Sequence, residues 1–390
     1  MKDVPQKQYN HINTNRVLAR EELIAMLRPF RLTTHFARLI AVALSIAACF
    51  LALSSISPQT ARAADPAWTS MPLTGDNEDG IIYSNDYDTS ESRVVWSAGD
   101  QFMYPPEAYS TWDLEIYSWT EDEGTVRITQ NDSDDESPVV SGDRIAWFFT
   151  PHSDAYLYGN FLDHCAIMTW TPTEGAVEIR TLQYGDDITW RSHRAEPIIA
   201  GDRIAWCEWT EATGYQLYTW TPAGGVVQVT TDAEDLYIGD VRVSANRLFW
   251  TDTGGSDGGY DYELFTWSPS GGIVQLTQDD VSVDFDASGD RVAYIASDGD
   301  WGSFYADIWT WTPTGGHLRI AESQLIAEFG AIATSESRVV WQINNQTEPG
   351  YSLRSWTPST PTQEIVPDDY NAYAPAISGD RVAFYGKVPD

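Results

Sequence analysis

Short segments in which apolar and polar positions alternate recur along the chain, each bounded by turn-forming residues. The phrases "EIYSWT" (115–120), "ELFTWS" (263–268) and "DIWTWT" (307–312) place apolar or aromatic residues two positions apart. A period of two is typical of a β-strand, because successive side chains point to opposite faces of the sheet. After residue 64 no segment shows a strong helical period, so the pattern predicts an all-β chain.

Two of these phrases recur at nearly regular spacing, which indicates internal repeats. The first resembles S-G-D-R-[IV]-A-[WF] and precedes the second, a tryptophan phrase followed by a turn such as "TPTGG". The copies of the first phrase lie at 90–96, 141–147, 200–206, 244–250, 288–294, 335–341 and 378–384. Each repeat therefore predicts four short strands, which we name a, b, c and d in chain order, with the first phrase on strand b.

Repeats of four strands and about 40–45 residues are typical of a β-propeller, so we expect four-stranded antiparallel blades. Seven copies of the first phrase predict seven blades, with "WTSMPLT" (68–74) completing the last blade beside the C-terminal strands. Six blades and a loose end is the alternative. On strand c the aromatic side chains share one face, which we expect to lie on the smaller aliphatic face of the next blade.

Two residue types recur in every unit or nearly so, and we interpret both as structural. An arginine after each a–b turn, represented by Arg144, Arg203 and Arg291, is expected to anchor that hairpin by pairing with a carboxylate or carbonyl. A ring of anion-binding arginines fits less well, since a single site is not repeated in every blade. The strand-c tryptophans are expected in the core: Trp119, Trp170, Trp220, Trp267, Trp311 and Trp356.

The first 63 residues differ from the rest of the chain. Basic residues are followed by an uncharged apolar run (39–53) and then by Ala61-Arg62-Ala63. This order predicts a signal peptide over 1–63, cut after Ala63, and a single propeller domain over 64–390. Met26 is an alternative start.

A lipoprotein is the alternative to simple cleavage of this leader. In that interpretation "IAAC" (46–49) is the lipoprotein box and Cys49 is acylated. The apolar residues after Cys49 argue against it, because an acylated cysteine usually leads into a polar tether. Either way the sequence predicts an exported protein (extracellular, cell-surface or periplasmic) with no transmembrane segment in the mature chain.

The formal net charge of the whole chain is −34, and many of its basic residues lie in the leader. Such an acidic surface excludes nucleic acid and anionic membrane as partners and favours cations and basic groups. We expect a monomer. Cys165 and Cys207 are the cysteines that remain after the leader; they lie in adjacent repeats near the same face, which leaves a disulfide between them open.

The phrases S-G-D-R-[IV]-A-[WF], D-I-x-T-W-T, P-T-G-G and V-x-L-T resemble the WD40-like repeats of the TolB-type propellers. The resemblance covers nearly all of residues 66–390 and implies a propeller fold and an exported setting. The N-terminal α/β domain of TolB has no counterpart in this sequence. The resemblance therefore does not carry over the Tol–Pal partnership.

The predicted b–c and d–a loops share one face of the ring, and they are long and varied where the other loops are short. Variety over a rigid scaffold is typical of a binding surface. The sequence indicates no firm cofactor; acidic residues among glycines leave a calcium site open, although Asp257 takes the glycine position of an EF-hand loop. The ligand-binding candidates are His152, His164, Trp190, Arg191, His193, Trp301 and Tyr305. The metal-ligand candidates are Asp252, Asp257, Asp261, Asp298 and Asp300.

These features favour a non-catalytic exported propeller that binds a protein or a carbohydrate through the acidic, aromatic loop face. The alternative is a secreted polysaccharide-cleaving enzyme, a lyase or glycosidase, with the three loop histidines around a metal. The histidines lack the close spacing of a zinc motif. An acidic surface also repels an acidic polysaccharide unless calcium mediates.

Overall fold

The computed structural model describes residues 87–102, 111–150, 165–182, 196–210, 214–231, 238–252, 262–278, 282–297, 305–326, 331–344, 350–367 and 370–386. Within these ranges the chain forms strands and no α-helix, so the predicted all-β class is confirmed. Accordingly, the ranges hold no helix of the length and apolarity that crossing a membrane requires.

The strands group by chain order into seven blades. Blade one holds β1 (Tyr87–Thr89), β2 (Arg93–Phe102), β3 (Thr111–Thr120) and β4 (Gly124–Arg127). Blade two holds β5 (Asp134–Ser141), β6 (Arg144–Thr150), β7 (Cys165–Thr171) and β8 (Gly175–Leu182). Blade three holds β9 (Ile198–Ala200), β10 (Arg203–Thr210), β11 (Gly214–Thr221) and β12 (Gly225–Gln228). Blade four holds β13 (Ile238–Val243), β14 (Leu248–Asp252), β15 (Glu263–Ser268) and β16 (Gly272–Gln275). Blade five holds β17 (Ser282–Ser288), β18 (Arg291–Ser297), β19 (Tyr305–Thr312) and β20 (Gly316–Leu325). Blade six holds β21 (Ile332–Thr334), β22 (Val339–Asn344), β23 (Tyr351–Thr357) and β24 (Thr360–Val366), and blade seven holds β25 (Tyr373–Ser378) and β26 (Arg381–Tyr385).

Each blade is an antiparallel meander, and the seven sheets form a β-propeller. In the described ranges, blades one to six have four strands paired in chain order, and blade seven has two. The seven copies of the first phrase coincide with the second strand of each sheet, which confirms the seven-blade prediction. Segment 68–74, predicted to complete blade seven, lies outside the described residues.

The core consists of layers between neighbouring blades. Trp206 and Tyr218 of blade three pack with Phe148 and Ile167 of blade two. The same contact recurs between blades one and two and between successive blades from three to six, with the aromatic face of each blade on the face of the blade before it. The sequence pattern predicted these two faces but placed the aliphatic partner on the next blade. The order is the reverse: strand b of blade three, for example, turns Trp206 toward blade two and Ala205 toward blade four.

The largest buried side chains come from strand b, which sequence reasoning did not single out. Trp147, Trp206, Trp250 and Trp341 are almost completely buried. The six strand-c tryptophans predicted to be core are partly buried. Five of them lie under the arginine of the preceding blade, with Arg144 over Trp220 at 5.3 Å as the closest pair.

The recurring arginines join each blade to the next. Arg144 donates from Nε to the Asp202 carboxylate of blade three at 2.9 Å, and from Nη2 to Glu174 in its own blade at 3.1 Å. Arg203 and Arg291 donate instead to carbonyls in the following a–b turn, at 3.0 and 2.9 Å. The partners are thus the carboxylates and carbonyls we expected, but the hairpin that each arginine anchors belongs to the next blade.

The two cysteines lie in different layers. Cys165 is buried between blades two and three. Cys207 directly follows Trp206, and strand alternation turns it to the opposite face of blade three, against blade four. The sequence left a disulfide between them open, and none joins these two described residues.

Candidate functional site

The two faces of the ring differ in the length of their connections. A single pair of residues, 142–143, joins β5 to β6, and residues 172–174 join β7 to β8. On the opposite face residues 151–164 join β6 to β7, and residues 183–197 join β8 to β9. We call this second face the long-loop face. The structure describes the strand ends that support it, and the interiors of its longest loops lie outside the described residues.

Most of the predicted site residues belong to these loop interiors. Tyr305 and Asp252 are the two that the structure describes. Tyr305 begins β19 and is 52% exposed, whereas Asp252 ends β14 and is buried. The others lie outside the described ranges: His152, His164, Trp190, Arg191, His193, Asp257, Asp261, Asp298, Asp300 and Trp301.

Metal binding by the loop residues stays a prediction. Among the residues that the structure describes, no three His, Cys, Asp or Glu side chains are grouped as metal ligands. The proposed calcium and zinc ligands are almost all in the remaining residues, so the structure does not test them.

Buried carboxylates lie directly beneath the long-loop face, where strand b ends and where strands a and c begin. Glu115, Asp135, Glu208, Asp252 and Glu263 all belong to this group. Sequence reasoning singled out only Asp252 among them, as a metal-ligand candidate. A usable signal was present, because "EIYSWT" and "ELFTWS" both begin with a glutamate beside a long loop. A buried carboxylate requires compensating donors, and its partners therefore reveal its role.

Glu115 and Asp135 connect blades one and two. The backbone N–H of Asn131 donates to Glu115 Oε1 at 2.7 Å, and the Asn131 side-chain amide donates to Asp135 Oδ2 at 2.8 Å. Arg127 pairs with Glu115 at 2.7 Å. The indole N–H of Trp147 donates to Asp135 Oδ1. Asn131 thus joins two carboxylates from neighbouring blades.

The environment of Asp135 favours its neutral form. Burial raises the pKa of Asp135 to about 6, and the negative charge of Glu115 also raises it. Hydrogen bonds from Asn131, Trp147 and Thr129 act in the opposite direction on this pKa. Burial has the larger effect on the pKa, because it penalises the charged carboxylate directly.

The carboxylates of blades three and four have strong partners of their own. Both oxygens of Glu208 accept from Arg180, each at 2.8 Å, and Oε1 also accepts from the Trp206 indole at 2.8 Å. The hydrogen bond to Glu208 raises the pKa of Arg180. Glu263 accepts from the Thr277 hydroxyl. Carboxylates held in this way fix the strand ends beneath the loops.

The acid at position 135 should make stability depend on pH. The folded-state pKa of Asp135 lies above the usual value of an aspartate, so the folded state binds the proton more tightly. The stabilisation from this tighter proton binding is complete below about pH 4 and is lost as the pH rises through about 6. Asp135→Asn cannot ionise, so we expect it to remove this loss. At pH 8 its free energy of unfolding should exceed that of the wild type by at most about 3 kcal/mol.

Urea unfolding of the wild type and of Asp135→Asn, followed by circular dichroism between pH 4 and 8, measures this effect. Asp122→Asn is the matched control, because Asp122 is an exposed acid in the turn before β4. A wild-type curve that keeps the same difference from Asp135→Asn at every pH would contradict the prediction.

Comparison with known proteins adds neighbours of similar architecture. No protein-family model and no curated protein matches this chain. Among solved structures, the acylaminoacyl peptidase of Pyrococcus horikoshii is 11% identical with a TM-score of 0.41, over 73% of this chain and 52% of that one. The β-propeller domain of the Trilobed protease from Pyrococcus furiosus is 12% identical with a TM-score of 0.43, over 65% and 77%. TolB from Acinetobacter baumannii is 12% identical with a TM-score of 0.34, over 68% and 61%. The chain thus spans about half of the first neighbour.

Proposed function

We propose that this chain is an exported, non-catalytic, TolB-like binding propeller that engages a protein or carbohydrate partner through its long-loop face. The observation that carries the proposal is the difference between the two faces. Short turns tied together by arginines form one face, and long varied loops on fixed strand ends form the other.

Rigid support favours binding by such loops, because a preorganised surface loses less conformational entropy when the partner associates. The strand ends beneath the loops are held by Glu115, Asp135 and Glu208, whose donors come from several strands and from two neighbouring blades. The loop sequences combine Asp and Gly with Tyr and Trp, which supply contact area and hydrogen bonds. The net charge of −34 favours a neutral or basic partner.

An exchange of one loop tests the proposal. Residues 151–164 are replaced by a Gly-Ser segment of equal length, which leaves β6 and β7 unchanged. We expect binding to a glycan array or to an isolated protein partner to weaken about tenfold or more, since central interface residues supply most of the affinity. Surface plasmon resonance provides the dissociation constants.

The matched control changes the opposite face, where Ala223→Ser alters the exposed c–d turn of blade three. This variant should bind like the wild type. Equal binding by all three proteins, or equal weakening in both variants, would refute a role for the long-loop face.

A further inference from the structure

The fourth strand of each four-stranded blade ends its sheet, so its outer edge has no strand beside it in the described ranges. Such an edge presents unpaired backbone groups, which proteins usually protect with charges or proline. Four outer strands are protected in this way: Arg127 lies on β4, Glu178 on β8, Arg319 on β20 and Pro361 on β24. The outer strands of blades three and four, β12 ("GVVQ") and β16 ("GIVQ"), carry neither a charge nor a proline. We call the outer edges of β12 and β16 the bare edges.

The hydrogen bonds of blade three show which backbone groups face outward from β12. The N–H of Val229 donates to the carbonyl of Leu217 at 2.7 Å. Opposite residues in an antiparallel pair alternate between hydrogen-bonded and non-hydrogen-bonded positions, so the register makes Val227 the next residue bonded to β11. The N–H and C=O groups of Val226 and Gln228 therefore point away from β11, toward the free edge.

Blade four repeats this arrangement. The N–H of Leu276 donates to the carbonyl of Leu264 at 2.7 Å, and the register then directs the backbone groups of Ile273 and Gln275 away from β15. Each bare edge thus offers two N–H and two C=O groups in the spacing of a β-strand. An extended polypeptide supplies the complementary row of donors and acceptors, which a lipid or a sugar does not.

Apolar side chains flank these free backbone groups. Val226, Val227, Ile273 and Val274 are each between 37% and 46% exposed. Because successive side chains point to opposite faces of a sheet, each bare edge has one exposed β-branched side chain on either face. An added strand with apolar side chains would cover both, and cross-strand pairs of β-branched residues stabilise a sheet.

The charge around the bare edges selects the occupant. Residues 204–290, which contain both strands, include fifteen acidic residues and only two basic ones. Asp232 follows Gln228 by four positions, Asp279 follows Gln275 by four, and the exposed Glu178 lies on β8, which contacts β12. This excess of negative charge favours a basic strand and disfavours a second copy of the chain, which would bring the same charges against each other.

We propose that the bare edges of β12 and β16 bind an extended, basic segment of a partner protein, which adds to either blade as a fifth strand. The backbone of the segment pairs with Val226 and Gln228, or with Ile273 and Gln275. Its apolar side chains cover the exposed valines and isoleucine, and its lysines or arginines face the surrounding carboxylates. This surface is the outer rim of the ring, so the inference is independent of the function proposed for the long-loop face.

Fluorescence anisotropy with the full-length protein tests the inference. The probe is a labelled ten-residue peptide with a central run of valine and threonine between lysines. It should bind at least tenfold more tightly than the same peptide with glutamate for lysine, and than a version methylated on alternate backbone nitrogens, which cannot pair. Raising sodium chloride from about 0.05 to 0.5 M should weaken binding several-fold, because salt screens the charges.

Hydrogen exchange measured by mass spectrometry locates the bound peptide. The outward N–H groups of the bare edges exchange with water in the free protein and become hydrogen-bonded when a strand is added. We therefore expect slower exchange in segments 225–228 and 272–275 when the peptide is present, and unchanged exchange in β4 of blade one.

The variant that closes both edges combines Gln228→Pro with Gln275→Pro. Proline removes one outward N–H from each edge and leaves the bonds to β11 and β15, in which these N–H groups take no part. We expect peptide binding to weaken at least tenfold. Gln228→Thr with Gln275→Thr is the matched control, because it keeps the N–H groups and should bind like the wild type.

A second variant keeps every backbone group and guards against a folding defect in the first. Val226→Lys with Ile273→Lys removes one exposed apolar side chain from each edge and adds a like charge. It should also weaken binding of the basic peptide at least tenfold, with a melting temperature close to that of the wild type, since both positions are exposed.

Four results would overturn the proposal. The first is no binding of the basic peptide to the wild type, and the second is equal binding of the basic, acidic and methylated peptides. The third is unchanged binding by the Val226→Lys, Ile273→Lys variant. The fourth is a dimer in sedimentation velocity that the proline variant dissociates, since a second copy would then occupy the edges.

The long-loop face is distinguished by the exchange of residues 151–164 described above. The protein with the Gly-Ser segment should bind the basic peptide like the wild type. Loss of peptide binding in that protein, with full binding by the proline variant, would place the peptide on the long-loop face and also overturn the inference.

Discussion

Trp206→Ala should lower the free energy of unfolding by about 3–5 kcal/mol, a large part of the stability of an ordinary domain. Trp206 is 1% exposed and fills the layer between blades two and three together with Phe148, Ile167 and Tyr218. Its ring stacks on Tyr218 with centroids 6.0 Å apart, and its indole donates to Glu208. Alanine leaves a cavity in a layer whose other members are held by strand pairing.

Urea unfolding followed by far-ultraviolet circular dichroism measures this loss independently of tryptophan fluorescence. Trp206→Phe keeps most of the ring volume and should cost distinctly less, about 1–2 kcal/mol. Val226→Ala is the surface control, because Val226 is exposed on β12 of the same blade. If Trp206→Ala unfolds at the same urea concentration as Val226→Ala, the layered core is wrong.

Arg144→Ala should destabilise the protein by about 2–3 kcal/mol, because a single buried guanidinium has partners in two blades. Arg144 donates to Asp202, Glu174 and Thr169 and lies over the Trp220 ring. Its removal leaves the Trp220 face uncovered and the turn of blade three without its link to blade two. Arg144→Lys keeps the charge but not the planar fork, and we expect an intermediate loss.

Arg381→Ala is the matched control for this experiment, since Arg381 has the same repeat position in blade seven and is exposed. We expect its effect to stay within about 0.5 kcal/mol. A double-mutant cycle of Arg144→Ala with Asp202→Ala isolates the link between the blades. Equal losses for Arg144→Ala and Arg381→Ala would show that the repeat position stabilises only its own hairpin.

The repeat itself made the fold predictable from sequence. Alternation on strands b and c, the turn after the tryptophan phrase and the recurrence of both are local properties, so the number of blades followed from counting. The arginine partners were predictable in kind, as a carboxylate or a carbonyl; the structure gives Arg144 a carboxylate and Arg203 a carbonyl. The blade to which each partner belongs was not predictable, because it depends on how the sheets face one another.

The candidate site was less accessible to sequence reasoning. Loop composition pointed to the long-loop face, and Tyr305 is exposed there as expected. Nothing in the sequence marked Glu208 and Asp135, because the side chains that bury them and the groups that donate to them belong to other strands and other blades.

The sequence alone thus determined the all-β class, the four-stranded unit and the seven blades, since side-chain alternation and turn chemistry act over a few residues. Only the tertiary structure decided which face of each blade meets which neighbour, and that Cys165 and Cys207 lie in separate layers. These properties arise from the packing of successive blades on one another, which brings together residues that local patterns cannot relate.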